Sequence, residues 1–210
     1  MTQTKEVSGA RARKAQAYAS AREVLLRCGM ELLTEQGFSA TGLEAVLKRA
    51  TVPKGSFYYY FASKEAFGRE VMDAYDAYFG KKLDRWLQDG SRAPLDRLMD
   101  FVADASAGMR KHEFRRGCLV GNLSQELGAL PEAYRARLDA IFTGWQRKVA
   151  ACLREAQLSG AVPAGLDCDQ LAEFFWIAWE GAVLRARLLR NDQPLRNFIA
   201  TFLVALGVRA

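Results

Sequence analysis

Two short stretches of this 210-residue chain carry side chains whose type and spacing suit chemistry as well as packing. The first runs from Thr41 to Lys64, TGLEAVLKRATVPKGSFYYYFASK. Phe57 and Phe61 lie four apart and share one side of a short helix, where they can pack on the helix before it. Lys54, Gly55, Tyr58 and Tyr59 fall on or near the opposite side, with Ser56 and Tyr60 adjoining. Lysine and tyrosine can contact phosphate oxygens, and glycine lets a helix backbone approach a groove closely. Thr41 stands at the start of the preceding helix and Lys64 in the first turn of the next, and a helix N-terminus favours phosphate. This set fits a helix-turn-helix whose second helix enters the major groove of double-stranded DNA. A tyrosine-rich helical hairpin with a structural role alone fits the same spacing.

The second stretch is Phe114-Arg115-Arg116-Gly117-Cys118-Leu119-Val120-Gly121-Asn122. Cys118 follows two arginines and lies near the start of a helix expected to run to Gly128. Both features favour the thiolate, which adds to electrophiles and oxidises readily. A cysteine that merely packs, with Arg115 and Arg116 turned to water, is the alternative. The other cysteines are weaker candidates. Cys28 and Cys152 fall on apolar stripes, and Cys168 sits between Asp167 and Asp169, whose charges disfavour a thiolate. Further on, Trp145, Trp176, Trp179, Glu180 and Arg187 form either an aromatic core or the lining of an effector cavity. A carboxylate among such rings needs a partner, and Arg187 or another arginine can serve.

Other chemistries find no support. The four cysteines make no CxxC pair and no His/Cys cluster, so no metal site is expected and a reducing cytoplasm suits them. His112, the single histidine, reads as a solvated helix-end residue. No Ser/His/Asp set, paired-carboxylate site or phosphate loop is visible, so neither catalytic residues nor a cofactor are expected and the chain reads as a non-enzyme. Nothing approaches the roughly eighteen consecutive apolar residues of a membrane span, and the N-terminus carries no apolar signal segment. The net charge of +6 is concentrated early: residues 1–64 hold ten lysines and arginines against five acids. A nucleic-acid footprint needs that excess there, although a basic surface also serves solubility.

The elements that must position these residues are all helical. Half the residues are apolar and long alternating strand patterns are absent, which predicts an all-α chain of about nine helices. Residues 1–14 read as a basic disordered arm, 15–62 as a helix-turn-helix domain, and 63–210 as a ligand-binding and dimerisation domain. A first helix is expected from about Ala15 to Gln36, stopped by Gly37. Thr41 and Glu44 read as a capping box for the second, which Thr51-Val52-Pro53 ends, and Pro53-Lys54 opens the third. Longer helices follow from Ser63 to about Trp86, Pro94 to about Lys111, Pro131 to about Ser159, and Cys168 to about Leu189. The last begins at an Asp167–Gln170 capping box and is apolar on more than one side, as befits a helix between its own core and a partner. A closing helix spans Pro194 to Leu206.

The stretch GFSATGLEAVLKRATVPKGSFYYYFASKEAF resembles the DNA-binding domain of TetR-type transcriptional regulators. The resemblance implies a repressor that binds a palindromic operator as a homodimer through the helix-turn-helix, with its last two long helices forming the dimer interface and the C-terminal domain housing a small-molecule effector. FRRGCLVGNLSQELGALP, followed by FWIAWEGAVLRARL, resembles a TetR subgroup that represses genes for detoxifying reactive carbonyls and acrylate-like compounds. Members carry Gly-Cys-Leu at the position of Gly117-Cys118-Leu119, and in some this cysteine senses electrophiles. The subgroup often has a lysine where this chain has Arg187. Arginine stays protonated, so chemistry needing a neutral amine beside the thiol is lost, whereas charge stabilisation survives. A TetR-type regulator with a non-covalent hydrophobic ligand and no thiol sensing is the alternative.

Overall fold

The computed structural model describes residues 20–208, and the basic arm expected over 1–14 and the start of the first helix lie outside them. Among the described residues the chain is all-helical. The elements are α1 (residues 20–36), α2 (Leu43–Ala50), a 3-10 turn (Lys54–Ser56), α3 (Phe57–Tyr60), α4 (Lys64–Leu87), α5 (Pro94–Lys111), α6 (Leu119–Ser124), α7 (Glu132–Leu158), α8 (Cys168–Leu189) and α9 (Gln193–Ala205). The chain folds as two compact units that divide between Ala74 and Tyr75, inside α4. No helix among the described residues is long and apolar enough to cross a membrane.

The first unit is held by aromatic packing. Phe57, Phe61 and Phe67 form a closed triangle of rings with centroids 4.9–5.5 Å apart, joined in the core by Leu25, Leu33, Val46 and Leu47. α1 and α4 meet so closely that a methyl at Gly29 would stand 2.8 Å from Val71. Gly37 ends α1 with φ 82, the left-handed stop that glycine adopts without strain.

Two local expectations are corrected here. Thr41 does not cap α2: the N-cap is Gly42, without a side-chain bond. The buried Thr41 hydroxyl instead donates to the Gly37 carbonyl at 2.6 Å, tying the loop to the end of α1. Glu44 turns outward and pairs with Lys54 across the turn rather than completing a capping box. α2 stops through Thr51 in the left-handed region (φ 56), whose position lets Val52 N–H donate back to Leu47 at 3.0 Å. The third helix is also shorter than expected, because Pro53 leads into a 3-10 turn and only Phe57–Tyr60 is α-helical.

In the second unit α7, α8 and α5 enclose a ring cluster. Trp145 lies 4.6 Å from Phe79 and 5.1 Å from Trp176, and Trp179 lies 5.1 Å from Phe101. Asp167 caps α8 by accepting from Asp169 N–H (2.9 Å) and Gln170 N–H (3.1 Å). Ser63 similarly caps α4, accepting from Ala66 N–H at 3.1 Å. The end of α4 is clamped by buried Arg97, which donates to the Leu87 carbonyl (3.1 Å), the Arg92 carbonyl (2.9 Å) and Glu155 Oε2 (2.6 Å).

Candidate functional site

The turn and α3 present two unlike faces, as the four-residue spacing predicts. Phe57 and Phe61 are buried, while Tyr58 and Tyr59 are 69% and 62% exposed. Lys54 and Gly55 are exposed beside them, and Ser56 and Tyr60 are half-buried. Tyr59 and Tyr60 meet edge to face at 5.4 Å. Lys54 bonds to Glu44, which holds that carboxyl below its usual range and the ammonium above its own. Lys64 is half-buried with its ammonium 4.6 Å from the Phe38 ring centroid, a cation–π seat. Gly55 has no neighbour within 4 Å of the place a side chain would begin, and its φ is not positive. Nothing inside the fold requires glycine there. Thr41 stands apart from this face: its hydroxyl is buried and engaged with Gly37, so it presents no phosphate ligand at the surface.

The second candidate site forms around Cys118. α5 ends at His112, its C-cap residue, and the chain turns through two successive left-handed residues, Glu113 (φ 54) and Phe114 (φ 56). That conformation is uncommon for residues with a Cβ. The turn delivers Cys118 to the N-cap position of α6, where its sulfur accepts from Gly121 N–H at 3.5 Å. α6 itself stops at Ser124 rather than continuing to Gly128.

Around the sulfur the structure corrects the sequence reading. Cys118 is 6% exposed, and its thiol is pushed well above the usual range, first by burial and then by the charge of Glu180. The adjacent arginines do not set its ionisation. The Glu180 carboxyl and the Tyr75 phenol are the ionisable groups that act on the Cys118 thiol. Burial holds the Tyr75 phenol well above its usual range. Three groups from different helices therefore come together here, Tyr75 of α4, Cys118 at the α6 N-terminus and Glu180 of α8.

Glu180 seats against backbone because position 121 is glycine: a Cβ there would overlap Glu180 Oε2. The residue as a whole is half-buried, but Oε1 is enclosed and has no hydrogen-bond partner from the chain. Burial lifts this carboxyl to about 7. Trp176, one turn earlier on α8, is likewise buried with an unpartnered Nε1.

Arg187 is not the partner of Glu180. It donates to Asn122 Oδ1 at 2.9 Å and lies along Gly117, where a Cβ would stand 2.7 Å from Arg187 Cδ. Arg116 is half-buried and does not act on the thiol. Trp145 donates from Nε1 to Asp76 Oδ1 at 3.0 Å, so its polar edge is already satisfied. Trp179 packs between Phe101, Phe175 and Phe198. The structure thus gathers Cys118, Glu180 and Trp176's neighbourhood, leaves Arg116 aside, and adds Tyr75, Gly121 and Asn122. The two glycines Gly117 and Gly121 are the sequence signal that could have marked close approach in this segment. Tyr75, embedded in an apolar stripe, gave none.

Comparison with known proteins matches both parts of the chain to described families. Residues 25–71 match the family described as bacterial regulatory proteins, tetR family, and residues 94–202 match the tetracyclin repressor-like C-terminal domain. The chain is 53% identical over 182 residues to the transcriptional regulator AcuR of Cereibacter sphaeroides, covering 87% of this chain and 83% of that one. It is 34% identical over 179 residues to the transcriptional repressor NemR of Escherichia coli, covering 85% and 90%. The crystal structure of reduced NemR superposes with a TM-score of 0.76 at 32% identity, over 87% of this chain and 95% of that one. A crystal structure of the regulatory protein TetR from Rhodobacter sphaeroides superposes with a TM-score of 0.86 at 52% identity, covering 88% and 97%. A helix-turn-helix unit, an all-helical second unit and relatives that are themselves regulators lead to one assignment: the chain belongs to the TetR family of DNA-binding transcriptional regulators.

Proposed function

We propose that this protein is a homodimeric repressor that grips a palindromic operator and releases it when a small electrophile or acrylate-like unsaturated acid is captured at Cys118. The exposed face of α3 carries the DNA half of this reading. Lys54 and Lys64 supply charge, Tyr58, Tyr59 and Tyr60 supply phosphate and base contacts, and Ser56 lies within the same surface. Gly55 is the telling residue, since close approach of a groove accounts for a glycine that the fold does not need. Thr41 contributes by holding the loop rather than by touching phosphate. The dimer reading rests on Ile177 and Leu188, 65% and 68% exposed on α8, and on Val204, 64% exposed on α9.

The effector half is carried by the buried Cys118 thiol and its hydrogen-bonded neighbours. Tyr75 belongs to α4, and α4 begins at Lys64. A group added to the sulfur displaces the Tyr75 hydroxyl and biases α4 toward a position in which both reading heads no longer fit one operator, a shift that requires different affinities for two states. Trp176 and Arg187 border the effector, with Trp145 and Trp179 behind them as packing. A second reading is favoured by a separate observation: an unpartnered donor at Trp176 Nε1 and an unpartnered acceptor at Glu180 Oε1 suit a non-covalent ligand bearing both a carbonyl and a hydroxyl. Fluorescence anisotropy on the protein's own upstream DNA separates the two. Release of wild type but not Cys118→Ser by an acrylate-type electrophile supports capture at the thiol, and equal release of both supports the non-covalent ligand.

A further inference from the structure

We infer that Glu180 is the general base that activates Cys118, taking the thiol proton as the sulfur attacks an activated alkene; this rests on the reading of Cys118 as the site of capture. The need for a base follows from burial. Cys118 is enclosed and, at rest, a neutral thiol, and a thiol is a poor nucleophile until its proton leaves. Glu180 and Cys118 meet at the same piece of α6 backbone: a Cβ at Gly121 would overlap Glu180 Oε2, and the Cys118 sulfur accepts from Gly121 N–H at 3.5 Å. That carboxylate has capacity to spare, with Oε1 unpartnered by the chain. It is held against the α6 backbone by the absence of a side chain at Gly121.

The surroundings suit the charge that develops. As the proton departs, the sulfur keeps the Gly121 N–H donor at 3.5 Å. Arg187, the arginine on the same helix as Glu180 two turns later, donates to Asn122 Oδ1 at 2.9 Å. The titratable groups facing Glu180 are Cys118 at the α6 N-terminus and Tyr75 on α4. From α5 and α7, Phe101 and Trp145 pack on Trp176 one turn away and bring no charge.

The step balances without any oxidant or reductant. The sulfur lone pair forms an S–C bond to the β-carbon of the alkene, and the C=C electron pair moves to the α-carbon. The S–H proton passes to Glu180 and is returned from Glu180 to the α-carbon. The product is the thioether, with S–H added across the double bond and Glu180 restored as a carboxylate. Glu180's carboxyl lies at about 7, so the base is available at neutral pH, where the thiol alone would scarcely ionise.

The test is the pH–rate profile of acrylamide addition to the full-length protein, read by mass on the peptide containing Cys118. Wild type is expected to rise through neutrality and level off above about pH 8. Glu180→Gln is expected to react at least about tenfold more slowly at pH 7.5 and to gain roughly tenfold per pH unit up to pH 9, as a thiol without a base does. Identical profiles for the two proteins would overturn the assignment. Should the variant not fold, the wild-type profile still decides: a rise without a plateau up to pH 9 excludes a base titrating near neutrality. Because the readout is the thioether and not DNA release, base-assisted addition without loss of operator binding would sustain the role of Glu180 while removing Cys118 as the switch.

Discussion

A methyl group at position 121 would occupy the space of the Glu180 carboxylate. Gly121→Ala is therefore expected to lower stability by about 1–3 kcal/mol through overpacking, measured as a drop in Tm, and to slow acrylamide addition at Cys118 by moving Glu180 off the thiol. Glu180 also makes stability depend on pH. Its folded carboxyl lies at about 7, above the usual carboxylate value near 4.5, so between those limits the folded state binds more protons than the unfolded one. Stability then falls as pH rises from about 4.5 to about 7, by on the order of 3 kcal/mol, and this contribution is constant above that range. Urea denaturation at pH 5 and pH 8 should show the decline, and Glu180→Gln should flatten it. Much of this site was legible only in part. The sequence marked Cys118 and Glu180 as candidates from their types, but it pointed to a lowered thiol because the arginines are neighbours in the chain. Burial and a carboxylate 62 residues away in sequence decide otherwise, and neither Tyr75 nor the seating of Glu180 on Gly121 has a one-dimensional signature.

The short third helix states the same lesson for elements. Its two faces follow from a spacing of four, so Phe57 and Phe61 inward and Tyr58 and Tyr59 outward were readable directly. Its length was not, because Pro53 and Gly55 permit a 3-10 turn as readily as an α-helical one. Likewise, Thr41 and Glu44 carry the composition of a capping box, yet burial of the threonine hydroxyl and attraction of Glu44 to Lys54 redirect both. Tyr58→Ala and Tyr59→Ala remove exposed side chains and should leave stability within about 0.5 kcal/mol while weakening operator binding. Lys54→Ala should weaken binding at all sequences and reduce the slope of log affinity against log salt by about 1. A salt titration by anisotropy distinguishes these two classes of contact.

For the whole molecule, all-helical architecture and the order of its long helices were legible, since α4, α5, α7, α8 and α9 follow from apolar periodicity, with Ser63 and Asp167 capping α4 and α8. The expectation of a partner came from the helix Cys168–Leu189, with apolar residues on more than one side. Phe174, Ile177, Leu184 and Leu188 emerge exposed on α8 while Phe175, Trp176 and Trp179 fill the core. A charge placed on that outer face, Ile177→Asp or Leu188→Asp, is expected to shift sedimentation from dimer to monomer and to lower operator affinity at least tenfold, because two half-sites must then be held singly. Coupling between the buried thiol and the DNA face is the central claim, and one titration addresses it. Operator-bound protein is treated with increasing electrophile, and the fraction released is measured beside the fraction of Cys118 carrying the adduct. The two fractions are expected to rise together, and Cys118→Ser is expected to stay bound throughout. Full release with Cys118 unmodified, or full modification with the operator still held, would contradict the account.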